Sequence, residues 1–527
     1  MKVKFSKIMS IFMCVVMCGS LLTGCGSTSN KKTARNTAAT GKTLVIGSGQ
    51  SAGTMDPTQA YDGWYSVRYG ICQTLTKMND DYSISGWLAE DGYSSNDDNT
   101  VWTFTMKDNI MFSNGNKLDA DAVKSSLENV FDNGERGSEY FTPVSMKADD
   151  QILTITTQKP EPILPNKLAD PLFCIIDTSI DNSNIADDGP IGTGPYIGES
   201  FDSITKECVV VKNENYWNGE VKTDKIDFIY TEDQSIISMG LQSGDFDAVY
   251  NVSMNDIGTF DKNSDYKIET NPSGRTTIGF MNQNEQLGDK VLREAILQMQ
   301  DKDSYCENLL KNQYVPGKTL ITSASDYGYD TLTDPNEYDP DNAAKLLDDA
   351  GYVDTNGDGY RETPNGEPIN LRFVYYTGRP EQQIVVEVTQ ATMAEIGIKV
   401  TPEVHDTQTV MDMQKTGDYD LLCMSINIMN CGDPENQINT YFKEGGTYNA
   451  TGYVSEAFNS LMDEVHVTAD YELRKDLIKQ AEQILLDDAV AIYFCYPIMN
   501  FVMKNTVDGI NCTPADFYWV DEDTSIS

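Results

Sequence analysis

The first segment whose residue types could do chemistry is Gly-Gln-Ser-Ala-Gly at residues 49–53. It matches G-x-S-x-G, the strand-to-helix turn that exposes the nucleophilic serine of α/β-hydrolases. The following Thr-Met-Asp-Pro at residues 54–57 opposes an immediate helix, because the residue before a proline disfavours the helical conformation. Only two histidines, His405 and His466, are present to act as general bases. We therefore expect no enzymatic activity, and a secreted serine hydrolase using Ser51 is the alternative.

A second candidate site is the acidic loop that contains Asp354, Asn356 and Asp358. This alternation resembles the first half of a calcium-binding loop, whose twelfth position should carry a bidentate glutamate. That position is Asn365, and Glu362 is nearby but out of register. We therefore expect a tight turn between a helix and a strand. Calcium binding by Asp354, Asn356 and Asp358 is the alternative.

The eleven cysteines do not predict a metal centre. The eight that follow residue 25 are scattered and include no C-x-x-C pair, whereas metal clusters need ligands at short spacing. Several lie in apolar runs, among them Cys423 and Cys495, where a cysteine behaves as a small buried hydrophobe. We expect mostly free buried thiols and no cofactor.

The N-terminus has the pattern of a bacterial lipoprotein signal. Three lysines precede an apolar run at residues 8–22, which is too short for a comfortable membrane span of roughly 20 apolar residues. The run ends in Leu-Thr-Gly-Cys, which looks like a lipobox with Cys25 as the lipid attachment point. The sequence predicts a signal peptide at residues 1–24 and a polar, flexible tether at residues 25–42. The protein is therefore expected outside the cytoplasm, anchored to the cell membrane by lipid.

The remaining chain is strongly acidic and long. A formal net charge of -42 and a pI near 4.2 argue against nucleic acid, whose phosphates would repel the protein. No second segment is long and apolar enough to cross a membrane. By length alone, about three domain-sized units are expected.

Predicted strands and helices alternate along the chain, which indicates a mixed α/β fold. The clearest helix begins at Asp339-Pro340, a capping carboxylate followed by proline at the first helical position, and ends before Gly351. Other helices are expected after Asp119 and Asp289 and at residues 380–395 and 471–486. The predicted strands are residues 43–46, 101–106, 152–156, 225–230, 276–281, 369–376, 398–404, 419–425 and 490–496.

Several segments resemble the extracellular solute-binding proteins of family 5, which serve oligopeptide, dipeptide and nickel importers. The most specific are Pro-Ile-Gly-Thr-Gly-Pro-Tyr at residues 190–196 and Asn-Glu-Asn-Tyr-Trp at residues 213–217. The other matching segments are residues 54–57, 86–90, 102–104, 112–115, 118–123, 432–435 and 449–453. The matches run in order from residue 43 to about residue 512, so the resemblance covers nearly the whole mature chain.

The resemblance implies an α/β, two-lobed periplasmic-binding-protein type II fold with an extra subdomain in the N-terminal lobe. The implied limits are 43–285 for the N-terminal lobe, about 66–185 for its subdomain, 286–490 for the C-terminal lobe and 491–527 for the return to the first lobe. Such a protein is a monomer that closes on a solute and delivers it to the permease and ATPase subunits of an ABC importer. A sensor with the same fold is an alternative.

The resemblance also suggests ligand-binding residues. Peptide-binding relatives place an aspartate three positions before the acidic-proline pair, which is Asp433-Pro434 here, but this chain has Asn430 and so loses a charge-assisted hydrogen bond to a peptide ammonium. Residues 63–70 and 375–381 look more like the nickel branch, in which arginines can hold the carboxylates of a metal chelator. The candidate contacts are Arg68, Arg379, Asn430 and Asp433, and both arginines could instead form surface ion pairs. A peptide-like solute and a nickel chelate both remain open.

A fluorophosphonate probe separates a binding protein from a serine hydrolase. We expect no labelling of Ser51 in the purified soluble protein, because the turn that would activate this serine requires a helix directly after it. Mass spectrometry of tryptic peptides measures the outcome. A covalent adduct on Ser51 would support the hydrolase.

Overall fold

The computed structural model describes residues 42–134 and 136–527. The predicted signal peptide and Cys25 lie outside the described residues, as does all of the predicted tether except Lys42. Within the described part, no helix has both the length and the apolar character that crossing a bilayer requires.

The strands are distributed along the whole described chain. In chain order they are β1 (Thr43–Ser48), β2 (Thr76–Met78), β3 (Ile84–Gly86), β4 (Ser94–Ser95), β5 (Val101–Thr105), β6 (Pro143–Asp149), β7 (Ile152–Thr157), β8 (Tyr196–Phe201), β9 (Cys208–Lys212), β10 (Lys225–Tyr230), β11 (Ala248–Tyr250), β12 (Tyr266–Pro272), β13 (Arg275–Met281), β14 (Tyr314–Pro316), β15 (Asn370–Tyr376), β16 (Lys399–His405), β17 (Leu421–Asn427), β18 (Ala491–Lys504), β19 (Val507–Ile510) and β20 (Val520–Ile526). Each strand predicted from the sequence is present.

Helices alternate with these strands. In chain order they are α1 (Gly63–Arg68), α2 (Ala120–Asn133), α3 (Gly137–Tyr140), α4 (Leu164–Lys167), α5 (Ile185–Asp188), α6 (Gln234–Ser243), α7 (Ile257–Asp261), α8 (Lys290–Gln298), α9 (Lys302–Asn308), α10 (Pro340–Asp349), α11 (Pro380–Glu395), α12 (Thr407–Thr416), α13 (Glu435–Phe442), α14 (Glu456–Val467) and α15 (Tyr471–Asp487). The predicted cap of α10 is confirmed, because the Asp339 carboxylate accepts a hydrogen bond from the Asn342 amide at 2.9 Å.

Among the described residues, twelve strands form one sheet in the order β16-β15-β17-β13-β18-β11-β1-β10-β9-β8, with β12 and β14 also paired to β18. This sheet has two halves that share β18. The residues of β18 up to Pro497 pair with β13 and β14, and those from Ile498 onward pair with β12. The prediction for this strand ended at residue 496 and was too short, because the strand continues through Pro497 into the second half-sheet.

The chain passes between the half-sheets a second time where β12 ends at Pro272 and β13 begins at Arg275. The two crossings are adjacent, since the Ser273 amide donates a hydrogen bond to the Pro497 carbonyl at 3.0 Å. The first residue of β13 therefore lies beside the junction of the two half-sheets.

A separate four-stranded sheet, β4-β5-β7-β6, carries its own hydrophobic core with α2. Val123, Leu127 and Val130 of α2 are buried in that core, as their spacing predicted. Asp119 caps the helix by accepting a hydrogen bond from the Ala122 amide at 3.1 Å.

Helix α15 packs an acidic residue into the main core. Glu482 is 1% exposed, and its Oε1 accepts a hydrogen bond from the Ile321 amide at 2.9 Å. Its Oε2 has no hydrogen-bond partner among the described residues. Burial raises the pKa of Glu482 to about 8.

The stability of the protein should therefore depend on the protonation of Glu482. Between its ordinary pKa of 4.5 and its folded pKa of about 8, the folded chain holds a proton that the unfolded chain has lost, so stability falls as the pH rises through this range. In the Glu482→Gln variant this loss is absent. We expect the variant to be more stable than the parent at pH 9 by about 4–5 kcal/mol, and the difference to disappear near pH 4.5.

Urea unfolding at the two pH values measures this difference. The exposed Glu464 provides the control, because Glu464→Gln should leave the pH dependence unchanged. An equal effect of Glu482→Gln on stability at both pH values would contradict a raised pKa of Glu482.

Candidate functional site

A cavity of about 410 Å³ is formed by residues from three parts of the chain. The first part is α1 with the loop before it, and the second is the start of β13. The third part extends from the end of β15, at Tyr376, to Tyr448 in the loop that follows α13. The lining residues are Gln50, Tyr61, Trp64, Tyr65, Arg68, Arg275, Tyr376, Thr377, Gly378, Arg379, Thr407, Met411, Gln414, Met424, Ser425, Ile426, Asn427, Asn430, Gln437, Tyr441 and Tyr448.

Three arginines line this cavity, and the described lining contains no carboxylate and no histidine. Arg68 ends α1, and Arg379 immediately precedes α11. Both were candidates from the sequence, and the structure brings them to the same cavity. Arg275, the first residue of β13, was not predicted. The available signal was an arginine immediately before the predicted strand 276–281, but such a residue is not distinctive in sequence.

Arg68 is held in place by hydrogen bonds and by contacts with aromatic rings. The side chain is 2% exposed, and its Nε donates a hydrogen bond to the Asp516 carbonyl at 2.7 Å. Its Nη2 donates to Asp516 Oδ2 at 2.6 Å. The guanidinium also lies 4.9 Å from the ring centre of Tyr65 and 5.0 Å from that of Trp519. Burial lowers the pKa of Arg68, but Asp516 and the neighbouring tyrosines together outweigh this effect and raise that pKa above its ordinary value.

Arg275 and Arg379 are not neutralised in this way. The Arg275 Nη1 donates to the Ser425 carbonyl at 2.8 Å, and no ion pair joins either arginine to a carboxylate in the described part of the chain. Burial lowers the pKa of Arg275, and the positive charge of Arg379 lowers it further. The two guanidiniums therefore repel each other across the cavity wall and favour an anion between them.

The rest of the wall offers aromatic faces and free hydrogen-bonding groups. Its aromatic residues are Tyr61, Trp64, Tyr65, Tyr376, Tyr441 and Tyr448. Trp64 Nε1, Gln414 Nε2 and Ser425 Oγ are buried and have no hydrogen-bond partner among the described residues. Leaving such groups unpaired costs roughly 1–3 kcal/mol each, so a polar ligand that reaches them is favoured.

Asn430 lines the cavity, but its amide is already engaged. Its Nδ2 donates to Asp170 Oδ2 at 2.9 Å and to the Tyr140 hydroxyl at 3.1 Å. Its Oδ1 accepts from Gln437 Nε2 at 3.1 Å. Asn430 therefore connects the cavity wall to a buried aspartate and presents no charge to the cavity.

Asp433 lies outside the cavity lining and pairs with Arg474. Its Oδ2 accepts from Arg474 Nε at 2.5 Å and its Oδ1 from Arg474 Nη2 at 2.9 Å. Arg474 also pairs with Glu435, and all three side chains are at most 3% exposed. This geometry gives Asp433 a structural role, so of the four candidate residues only Arg68, Arg379 and Asn430 meet at the cavity.

The family model of bacterial extracellular solute-binding proteins, family 5 Middle, matches residues 83–449. The chain belongs to this family. Its members bind solutes and do not catalyse reactions, so this chain is a solute-binding protein and not an enzyme.

Three relatives define the likeness. The nickel-binding protein NikA of Staphylococcus aureus is 26% identical over 99% of each chain, and its crystal structure with Ni(L-His)2 matches 92% of this chain and 100% of that chain at a TM-score of 0.79 and 24% identity. NikA of Brucella suis with Fe(III)-EDTA matches 92% of this chain and 100% of that chain at 0.82 and 22% identity. AppA of Bacillus subtilis with a nonapeptide matches 92% of this chain and 99% of that chain at 0.80 and 20% identity. The expected two-lobed α/β fold is confirmed.

The hydrolase alternative lacks the structure that it requires. After residues 49–53, the next helix is α1, which begins only at Gly63. A nucleophile elbow needs a helix directly after the serine. This family 5 protein therefore does not form the elbow at Ser51, in agreement with its membership of a family of binding proteins.

The loop at residues 354–362 is organised by its own hydrogen bonds. Asp354 accepts from the amides of Gly357 at 2.6 Å and Gly359 at 2.9 Å, and Asn356 Nδ2 donates to Glu362 at 2.7 Å. Oxygen atoms of Asp354, Asp358 and Glu362 lie within 4.8 Å of one another. Glu362, which was predicted to be out of register, therefore lies beside the two aspartates, and calcium binding stays the alternative to the predicted tight turn.

The structural role of Asp433 can be measured. Asp433→Asn leaves the Arg474 guanidinium buried with one carboxylate partner fewer, so the free energy of unfolding should fall by about 3 kcal/mol. The matched control is Asp418→Asn, which removes a 65%-exposed partner of Arg372 and should cost less than about 1 kcal/mol. Equal losses in the free energy of urea unfolding would show that the buried ion pair contributes no more to stability than the exposed one.

Proposed function

We propose that this protein is the substrate-binding lipoprotein of an ABC importer and that it captures a small carboxylate-bearing metal chelate, such as a nickel chelate. The observation that carries the proposal is the cavity wall with three guanidiniums and, among its described residues, no carboxylate. A guanidinium presents two parallel N–H donors that match a carboxylate, so such a wall suits a ligand with several carboxylates.

The residues that line the cavity favour a metal ion that is already bound by a chelator. No histidine or carboxylate is found in the described lining, so the wall offers few of the usual protein ligands to a bare cation. The aromatic faces suit the rings or carbon skeleton of an organic chelator. The free donors of Trp64, Gln414 and Ser425 suit its outer oxygen atoms.

A peptide with a free amino terminus is the second candidate and is less well supported. Its ammonium group requires a negative partner, and the two acidic residues near Asn430 are already used. Asp170 accepts hydrogen bonds from Asn430 and Tyr140, and Asp433 is paired with Arg474. The relatives include both ligand classes, because S. aureus NikA holds Ni(L-His)2 and AppA holds a nonapeptide.

Capture would proceed by closure of two lobes, with the limits 43–285, 286–490 and 491–527 and a subdomain at about 66–185. The two adjacent crossings of the main sheet, at Ser273 and Pro497, support a division into two lobes near these limits, since the described strands of the two halves are connected there. Arg68 would then belong to one lobe and Arg379 to the other, so that a ligand contacting both would favour the closed state.

Delivery would take place at the cell surface. The lipobox pattern at Cys25 supports attachment to the membrane by lipid, and residues 25–42 would tether a monomer near the permease and ATPase subunits. The ligand would be released chemically unchanged, since the proposed role requires no covalent bond of the ligand to be broken.

Isothermal titration with the nickel–L-histidine complex tests this function. We expect the parent protein to bind it, and the Arg379→Ala variant to bind about 10- to 100-fold more weakly, because a hydrogen bond to a charged group contributes roughly 1.5–3 kcal/mol. The control is Arg372→Ala, which removes an arginine that pairs with Glu403 and Asp418 outside the cavity and should leave affinity unchanged.

Triglycine with a free amino terminus is titrated in parallel. Tighter binding of the peptide than of the chelate would assign the protein to peptides. Binding of neither would count against the proposed ligand class, as would an Arg379→Ala variant with unchanged affinity for the chelate.

A further inference from the structure

Asp516 contacts a cavity residue without lining the cavity itself. It is 5% exposed and is absent from the lining, yet it receives two of the hydrogen bonds donated by Arg68. Its other carboxylate oxygen accepts a hydrogen bond from Trp519 Nε1 at 3.1 Å. Trp519 also lies against the Arg68 guanidinium, at 5.0 Å from its ring centre. One carboxylate oxygen of Asp516 therefore binds Arg68, and the other holds the tryptophan that lies against Arg68.

The backbone of Asp516 is adapted to this task. Its φ is +63°, a left-handed conformation that few residues other than glycine, asparagine and aspartate adopt readily. The turn is closed by the Asp516 amide, which donates to the Thr513 carbonyl at 3.0 Å. This conformation presents the carbonyl and the carboxylate of one residue to the same guanidinium.

We propose that Asp516 is a positioning and charge-compensating residue for ligand recognition, and this inference rests on the proposed function. It orients Arg68 towards the cavity and cancels its charge locally. A ligand then meets Arg68 as a hydrogen-bond donor within a neutral pair, and the uncompensated positive charge of the wall comes from Arg275 and Arg379. The Asp516 carboxylate therefore reduces the attraction of the cavity for highly charged anionic chelates relative to neutral ones.

The alternative is that Asp516 only anchors the C-terminal segment. Both roles predict weaker binding when Asp516 is changed, so affinity alone does not separate them. The charge preference does, because a unit charge near the cavity changes the affinity for a charged ligand much more than for a neutral one. The ratio of two affinities is therefore the informative quantity.

The experiment compares Asp516→Asn with the parent protein, using two nickel complexes as probes. Asparagine tolerates the left-handed backbone and keeps one oxygen for Trp519, so the substitution removes mainly the charge. The complex of nickel with two L-histidine molecules is neutral overall, and nickel–EDTA is doubly negative. We expect the ratio of the two affinities to shift towards nickel–EDTA by about tenfold or more in the variant.

Where the parent binds only the neutral complex, the proposal requires the variant to gain measurable binding of nickel–EDTA. An equal loss of affinity for both complexes would overturn it and leave Asp516 with an anchoring role. A parent protein that binds neither complex would instead defeat the proposed function, and this inference with it. Asp508→Asn is the control, because it removes an aspartate of the same chain end that is 69% exposed and should not change the ratio.

A second variant covers the case in which the buried, unpaired Arg68 unfolds the single variant. Arg68→Gln combined with Asp516→Asn removes both charges, so no unpaired charge is left in the interior. Both affinities should fall, but their ratio should stay within about twofold of the parent value. A ratio that moves tenfold towards the neutral complex would show that Arg68 acts on the ligand as a full positive charge, and would overturn the inference.

Discussion

Burying positive charge is the constraint on which this structure depends. An arginine taken out of water loses several kcal/mol of solvation unless hydrogen bonds and negative partners replace it. Here three guanidiniums face one cavity, and each is treated differently. Arg68 has a carboxylate partner, Arg275 has the Ser425 carbonyl, and Arg379 depends on the more distant charge of Glu381 and on neighbouring tyrosines. The positive charge of Arg275 and Arg379, which no bonded carboxylate balances within the described ranges, would be balanced by an anionic group on the ligand.

The fold assembles this cavity from segments that are far apart in sequence. Arg68 and Asp516 are separated by 448 positions, and the chain end that carries Asp516 also contacts the sheet crossing, where the Gly274 amide donates to the Pro514 carbonyl at 3.4 Å. Arg275 follows Gly274 directly. The residue that fixes Arg68 and the residue that begins β13 are therefore connected through one loop, next to the point where the two half-sheets join.

Local signals in the sequence explain which features could be predicted. The cap at Asp339 and the strands 225–230 and 276–281 depend on neighbouring residues, and the structure contains each of them. The continuation of β18 beyond Pro497 was missed because proline usually ends a strand, whereas here it lies at a junction between sheet halves. Arg68 and Arg379 were found through family resemblance rather than through their own pattern.

The contacts that decide the role of a residue could not be predicted, because they are made over long sequence distances. Asp433 was a candidate ligand contact, but Arg474 lies 41 positions away and binds it in the interior. Asp516 carried no sequence signal, since a lone aspartate in an acidic chain is unremarkable until its guanidinium partner is known. Arg275 was missed for the same reason.

The overall charge of the protein adds a second selection on the ligand. A formal net charge of -42 repels anions at a distance, whereas the arginines attract them only at short range. In salt of physiological strength the repulsion is screened over about 8 Å, but a multiply charged anion still meets more of it than a neutral complex does. A chelate that is neutral overall but displays carboxylates avoids the repulsion and still uses the guanidiniums. The long-range field thus opposes highly charged chelates, and the proposed charge compensation by Asp516 acts in the same direction.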